Sequence, residues 1–302
     1  MIKENIILYA KNQLGIDAIG FTTPEIPKKD LENYYKYLEE KNYADMLWME
    51  SRKHLRENPK NLMPEAETVI VLGCNYYHEP TIKKDYEISI YANQQEDYHI
   101  WFYNKIKELS KYLSENFNSS QRHFVDSAPI MEKVLAKQTP LGWQGKHTCI
   151  VSREFGSWLF LGVILTSLKI EPDSPHKDFC GTCTKCIDAC PTGALSPYKI
   201  DTKKCISYLT IEHKGDIPKD IASKFGNKVF GCDICLKACP FNKWQKQSNH
   251  NEASENQNFP NSLEAFLSLK PDEYSKTFKN TPLKRTGQNN LNRNINAIKN
   301  NI

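Results

Sequence analysis

The sequence predicts a mixed helix-and-strand domain, α/β or α+β, over residues 1–172, followed by a compact cysteine-rich module. Three observations carry this. Helical and strand patterns intermix without segregating as far as Leu168. Eight of the ten cysteines fall between Cys180 and Cys239. A Pro/Asp-rich connector, EPDSPHKDF from Glu171, separates the two textures.

The elements follow in order. Residues 2–14 place Ile6, Ile7, Tyr9, Ala10 and Leu14 at helical spacings, which predicts an amphipathic opening helix. Leu31–Tyr43, rich in Tyr, Lys and Glu, predicts a second. Thr68–Cys74 (TVIVLGC) is a β-branched run after Pro64 and predicts a buried strand. Asp97–Phe117 carries Trp101, Ile106, Leu109 and Leu113 along one side and predicts a long helix. Short strands are expected at His123–Val125, Cys149–Val151 and Trp158–Thr166, with a helix over Pro129–Lys137. Beyond Trp244 lies a polar loop, SNHNEASENQNFPN. Ser262–Ile302 then shows helical patches poor in large apolar residues.

Composition narrows the class. With 302 residues, 39% apolar and 25% charged, the chain is neither disordered, collagen-like nor wholly membrane-embedded. The first residues, MIKENIILYAKNQLG, lack a signal-peptide arrangement, and the longest apolar stretch, Trp158–Leu168, is far short of the ~20 residues of a spanning helix. A cytoplasmic location is therefore expected, where thiols stay reduced and clustered cysteines serve metals or redox groups. The 40 Lys+Arg against 36 Asp+Glu leave +4. That surplus lies entirely in residues 241–302, with nine Lys+Arg against five Asp+Glu. Lys284, Arg285 and Arg293 make this tail either a phosphate-contacting surface or a merely solvated basic end.

The segment from Cys180 reads Cys-x₂-Cys183-x₂-Cys186-x₃-Cys190-Pro191. This is the two-cluster ferredoxin run, in which the fourth cysteine serves the other cluster. The second half is Cys232-x₂-Cys235-x₃-Cys239-Pro240, with Cys205 displaced upstream. Crossing the sets gives cluster 1 as Cys180, Cys183, Cys186 and Cys239, and cluster 2 as Cys190, Cys205, Cys232 and Cys235. Eight thiolates complete two [4Fe–4S] clusters. Structural zinc also uses Cys-x₂-Cys pairs but rarely this run. Cys74 and Cys149, at strand ends, are expected in the core.

Residues 1–172 lack a G-x-G-x-x-G after a strand and a Walker A loop, so neither a Rossmann cofactor nor a P-loop is indicated. Asp97-Tyr98-His99 begins like the D-x-H-x-x-G signature of some cobalamin enzymes, but Phe102 stands where Gly is required. Asp126 ends a short strand before Ser-Ala-Pro, a place where such domains present functional groups. In PLGWQGKHTC, Gly142 and Gly145 flank Trp143 and lead to Lys146. Glycines there permit backbone approach to a large planar cofactor, or a plain loop.

With RENPKNLMPEAETVI from Arg56, YANQQEDYH over Tyr91–His99, FVDSAP around Asp126 and LGWQGKH over Leu141–His147, the chain resembles the epoxyqueuosine reductase family, cobalamin and iron–sulfur enzymes that complete queuosine in tRNA. The insertion opening Cys205-Ile-Ser-Tyr-Leu-Thr and closing on Gly-Cys-Asp-x-Cys is its most specific part. The resemblance implies an α+β fold: a nitroreductase-like cobalamin-binding catalytic domain (1–172), a ferredoxin-like domain with two [4Fe–4S] clusters (173–245) and a short basic helical C-terminal extension facing tRNA (246–302).

The implied activity is reduction of epoxyqueuosine to queuosine at the wobble position, a two-electron deoxygenation at a base-off cobalamin, without a histidine ligand, fed by the clusters. Asp126 matches the proton donor, and desolvation beside the corrin is expected to raise its pKa. Arg56, Ile90, Ile150, Ser207, Asp233 and Ile234, with Asp126, match positions lining the cobalamin. Lys214 matches a position near tRNA, joined by Lys284, Arg285 and Arg293 of the tail. Gln95 stands where many members have Gly. The implied partners are tRNA carrying epoxyqueuosine and a low-potential donor such as ferredoxin or flavodoxin, with a monomer and no membrane expected. The alternatives are a reductive dehalogenase-like reductase of a small molecule and a non-catalytic electron carrier.

Overall fold

A computed structural model describes residues 2–300. The strand Thr68–Asn75 is buried at every position because it is central to a four-stranded sheet covered on both faces. Alternation divides its side chains. Ile70, Leu72 and Cys74 enter a layer with Ile6, Ala10, Phe102, Ile106 and Leu109, while Val69 and Val71 join Phe124, Leu135, Leu141, Val163 and Leu165. The sheet order is Ala18–Thr22, Thr68–Asn75, Leu159–Thr166, Gln121–Phe124, antiparallel throughout. The mixed helix-and-strand expectation holds, and TVIVLGC forms the expected buried strand.

The edge strand Ala18–Thr22 has no counterpart in the sequence reading. AIGFT is short, and Gly20 breaks its pattern. Glycine is needed there because a Cβ would lie 2.6 Å from the Thr139 Cβ. The long helix runs Tyr98–Phe117, capped by the Asp97 carboxylate, which accepts the His99 N–H at 3.0 Å. It ends at Asn118, whose left-handed backbone suits asparagine.

The tail is better packed than its composition suggests. Phe259, Leu263, Phe266, Phe278, Leu283, Leu291 and Ile295 share one core with Ile206, Leu209, Phe225, Val229 and Phe230 of the insertion between Cys205 and Cys232. Its apolar residues are sparse along the chain but converge from several short helices. Asn294, fully buried, donates to the Thr210 and Val229 carbonyls at 2.8 and 2.9 Å and ties the last helix to that insertion.

The cysteine module is joined to the sheet domain by a parallel pairing of Glu87–Ile88 with Lys228–Phe230. Beside it the Asp233 carboxylate accepts the Ile90 N–H at 2.8 Å. Gln95 donates to the Glu255 carbonyl at 2.7 Å, so this side chain docks the DYH segment on the C-terminal region. Among the described residues no helix is long and apolar enough to cross a membrane.

Candidate functional site

Two short helices, Lys185–Asp188 and Ile234–Lys237, carry Cys186 and Cys235 and pack against one another. Their approach crosses the two halves of the cysteine block. The Cys186 thiol is pushed up by burial and then by the charges of Cys239, Cys180 and Cys183. Cys205 is pushed up by burial and in part by Cys190, and Cys235 by burial and in part by Cys232 and Cys205. No cysteine is in a disulfide. Eight thiols in two crossed groups are the donor set of two [4Fe–4S] clusters, so the residues fit those cofactors.

The LGWQGKH segment packs against Cys180 and Cys239, and its glycines serve a hairpin. Trp143–Gln144 pairs with Ile150–Val151 in a tight hairpin. A Cβ on Gly142 would fall 2.1 Å from the Val151 carbonyl oxygen, so this glycine permits the hairpin itself. Trp143 and Val151 pack with Cys239 and Cys180. Among the described residues the buried Trp143 Nε1–H has no nitrogen or oxygen partner; burial pushes the Cys180 thiol up, and this indole opposes the shift. It is suited to donate to cluster sulfur.

Asp126 lies at the end of the edge strand Gln121–Phe124 with a left-handed backbone, φ 55°. Aspartate tolerates this better than most residues. Its N–H donates to the Glu132 carboxylate at 2.9 Å. Its own carboxylate, 51% exposed, meets His99 Nε2 at 3.1 Å. The other ring nitrogen, Nδ1, meets the Asp97 carboxylate at 2.7 Å.

The order is Asp97, His99, Asp126, and it sets the protonation of the couple. Burial opposes a charged imidazole, but Asp126 and Asp97 outweigh it and lift His99 to about 9. Burial alone pushes Asp126 up; the His99 hydrogen bond and charge outweigh it and hold the carboxyl below its usual range. At neutral pH the exchangeable proton therefore resides on His99. In the protein alone, then, His99 holds Asp126 ionised; the expectation of a neutral carboxyl concerned a corrin beside it, whose desolvation would add to the burial contribution.

Behind this couple lies a second polar set, in which Glu132 and Cys149 are half-buried and Lys133 is exposed. Burial, then the charge of Asp126, pushes Glu132 up to about 8. Lys133 Nζ lies 3.9 Å from Cys149 Sγ. Burial disfavours the Cys149 thiolate, but Lys133 and His147 bring its pKa down to about 6. Cys149 packs against the core at its edge, half-buried rather than buried, with a cation beside its thiol. Cys74 is fully buried, as expected. It comes within 4.8 Å of Asp17 and His250, where Asp17 already accepts the Asn75 N–H at 2.7 Å and meets His250 Nε2 at 2.9 Å. That cluster ties the C-terminal segment to the sheet.

The remaining cofactor candidates are distributed around the same region. Arg56 is 8% exposed, donates to the Trp48 carbonyl at 2.9 Å and forms no carboxylate ion pair among the described residues. Tyr34 senses Arg56 and Tyr37, Tyr37 senses Lys133, and the Tyr37 hydroxyl meets Thr202 Oγ1 at 3.5 Å. Of these, the Tyr34–Arg56 and Tyr37–Thr202 hydrogen bonds are contacts, and the second ties the helix Lys28–Glu39 to the cluster module. Ile90, Ile150 and Asp233 are buried, Ser207 lies in the helix Ile206–Ile211, and Ile234 opens Ile234–Lys237. An unpaired buried guanidinium among buried amides and apolar walls is a donor set that fits a large amide- and phosphate-bearing macrocycle.

The basic candidates separate by environment. Lys214 and Lys284 are exposed. Arg285, 59% exposed, pairs with Glu212 at 2.9 Å, and its charge reaches Asp126, Tyr91 and Tyr98. The tail thus brings a cation within electrostatic reach of Asp126. Arg293 donates to the carbonyls of Leu209, His213 and Gly215 at 2.6–2.9 Å. It holds the HKG turn that presents Lys214, and its guanidinium is spent inside the protein.

Known proteins share this arrangement. A family model described as 4Fe-4S double cluster binding domain matches residues 179–242, and one described as Epoxyqueuosine reductase QueG, DUF1730 matches residues 56–127. The epoxyqueuosine reductase of Leadbetterella byssophila is 36% identical over 289 residues, 95% of each chain. That of Cellulophaga algicola is 37% identical over 306 residues, 99% of this chain and 97% of the relative. The structure of epoxyqueuosine reductase from Streptococcus thermophilus superposes with a TM-score of 0.91 at 28% identity, over 99% of this chain and 81% of that one. An epoxyqueuosine reductase crystallised with an epoxyqueuosine-modified tRNA-Tyr stem loop gives 0.90 at 29% identity, with the same coverage.

Fold and cysteine sites define a double-cluster iron–sulfur oxidoreductase. Full-length relatives above 30% identity specify it further: the chain belongs to the epoxyqueuosine reductase family.

Proposed function

We propose that this chain reduces epoxyqueuosine to queuosine in tRNA, using Asp126 and His99 as its proton source. The observation that carries the chemistry is the Asp97–His99–Asp126 relay at the exposed sheet edge, in the same molecule as two crossed cluster sites. Deoxygenation takes two electrons and two protons; both C–O bonds of the epoxide break, an alkene forms and the oxygen leaves as water. An alkoxide leaves poorly, so a positioned acid matters. Asp126 receives the epoxide oxygen at the cleft mouth and passes it the proton that His99 stores. Asp97 keeps His99 charged and oriented. When bound, cobalamin supplies a strongly reducing cobalt centre, for which Arg56, Ile90, Ile150, Ser207, Asp233 and Ile234 are the holding residues. A nitroreductase-like ancestry for residues 1–172 accords with the two-faced antiparallel sheet.

The RNA side rests on Lys214, Lys284 and Arg285. Arg285, within electrostatic reach of Asp126, suits a phosphate next to the reacting nucleotide, while the two lysines suit phosphates farther along. Replacing Lys214 and Lys284 with Ala should weaken tRNA binding and reduce its salt slope by about one for each phosphate no longer neutralised. Arg293→Ala should lower thermal stability, because it leaves two carbonyls of the HKG turn and that of Leu209 without their donor. Unchanged affinity and slope in the lysine variants would remove them from the interface.

The functional test uses protein reconstituted with iron, sulfide and cobalamin and given a low-potential reductant. Modified tRNA should lose its epoxide. Faster turnover of an organohalide than of modified tRNA would favour the small-molecule reading. Full iron loading without cobalt uptake or turnover would favour an electron carrier.

A further inference from the structure

Lys146 is a buried charge that the reaction above does not use. It is 8% exposed, and among the described residues no carboxylate lies within ion-pair distance. Its Nζ donates to the Gly181 carbonyl at 2.6 Å and the Cys183 carbonyl at 2.9 Å. Its own carbonyl accepts the Tyr198 N–H at 3.2 Å. Its backbone N–H favours the ionised Cys180 thiol. One residue therefore grips the Cys180–Cys183 ligand turn from three directions.

We propose that Lys146 is a positioning residue for cluster 1 whose ammonium, held on the Cys180–Cys183 turn, makes that cluster easier to reduce than it is without the charge. The proposal rests on the crossed ligand sets and deepens the reductase reading. A [4Fe–4S] cluster with four thiolates gains one negative charge when a one-electron donor reduces it. A nearby ammonium in a poorly screened site favours that state, and cluster potentials respond to local charge and to hydrogen bonds near the sulfurs.

The test is an EPR-monitored redox titration of the reconstituted holoprotein, against dithionite with mediators, in Lys146→Gln and Lys146→Arg variants. Gln keeps a hydrogen-bond donor without charge, and Arg keeps the charge. At a fixed solution potential, Gln should lower the reduced-to-oxidised ratio of one cluster at least tenfold, 59 mV for one electron. The second cluster should not move, and Arg should stay close to the parent. Four irons in Gln but eight in Arg also supports the charge requirement. Eight irons with unchanged potentials in Gln overturns the proposal, as do four irons in both variants. Cys183→Ser and Cys239→Ser, which should abolish the same EPR signal, separate a failure of this proposal from a failure of the crossed ligand sets.

Discussion

Asp126→Asn lowers single-turnover deoxygenation of epoxyqueuosine by about 10²–10⁴, the range for removal of a positioned acid. Asn keeps the shape at φ 55° but cannot relay a proton from His99. His99→Gln shows a comparable loss for a different reason: the store is gone while the carboxylate remains. The pH profile separates the two. His99 is lifted to about 9, so the relay is loaded at neutral pH and activity falls as pH rises through about 9. Asp126 lies below its usual range, so its own protonation enters only in acid. The charged neighbours of the couple are Asp97, Glu132, Lys133 and Arg285. Rapid-quench turnover between neutral and alkaline pH gives the measurement. Full activity in Asp126→Asn, or no decline in the parent near pH 9, would falsify the assignment.

The second large effect concerns the cysteine crossing. Cys239→Ser leaves four of the eight irons, and those lost belong with Cys180, Cys183 and Cys186. Cys190→Ser removes the other four, with Cys205, Cys232 and Cys235. Iron content and the EPR signature of the surviving cluster provide the readout. Cys239→Ser and Cys183→Ser should share one signature, and Cys190→Ser and Cys232→Ser the other. Matching signatures for Cys239→Ser and Cys235→Ser would instead mean two uncrossed halves. The crossing follows from the packed short helices, which bring Cys186 into the field of Cys239 and Cys205 into that of Cys190.

Legibility in the sequence depends on how local each feature is. The cluster ligands are legible because four thiolates on one cubane demand short, fixed spacings. Asp126 is legible as a strand-end residue, but its protonation is not. Its partner lies 27 residues earlier, at the start of the long helix, in a motif that reads in sequence only as an incomplete cobalamin signature. LGWQGKH is legible as site material, whereas the reason for Gly142 becomes visible only when Val151 lies across it. The tail hides its core because its apolar residues, one or two per short helix, meet only in space. Arg293 and Arg285 look alike in sequence. One faces three carbonyls and the other Glu212, and that difference is purely tertiary.

Nucleoside mass spectrometry of epoxyqueuosine-bearing tRNA, after reaction with the reconstituted and reduced protein, is the decisive measurement. Loss of one oxygen from the modified nucleoside is expected, requiring cobalamin and both clusters and declining above a pH of about 9. An intact epoxide after incubation with protein carrying full iron and cobalt would contradict the assigned reaction.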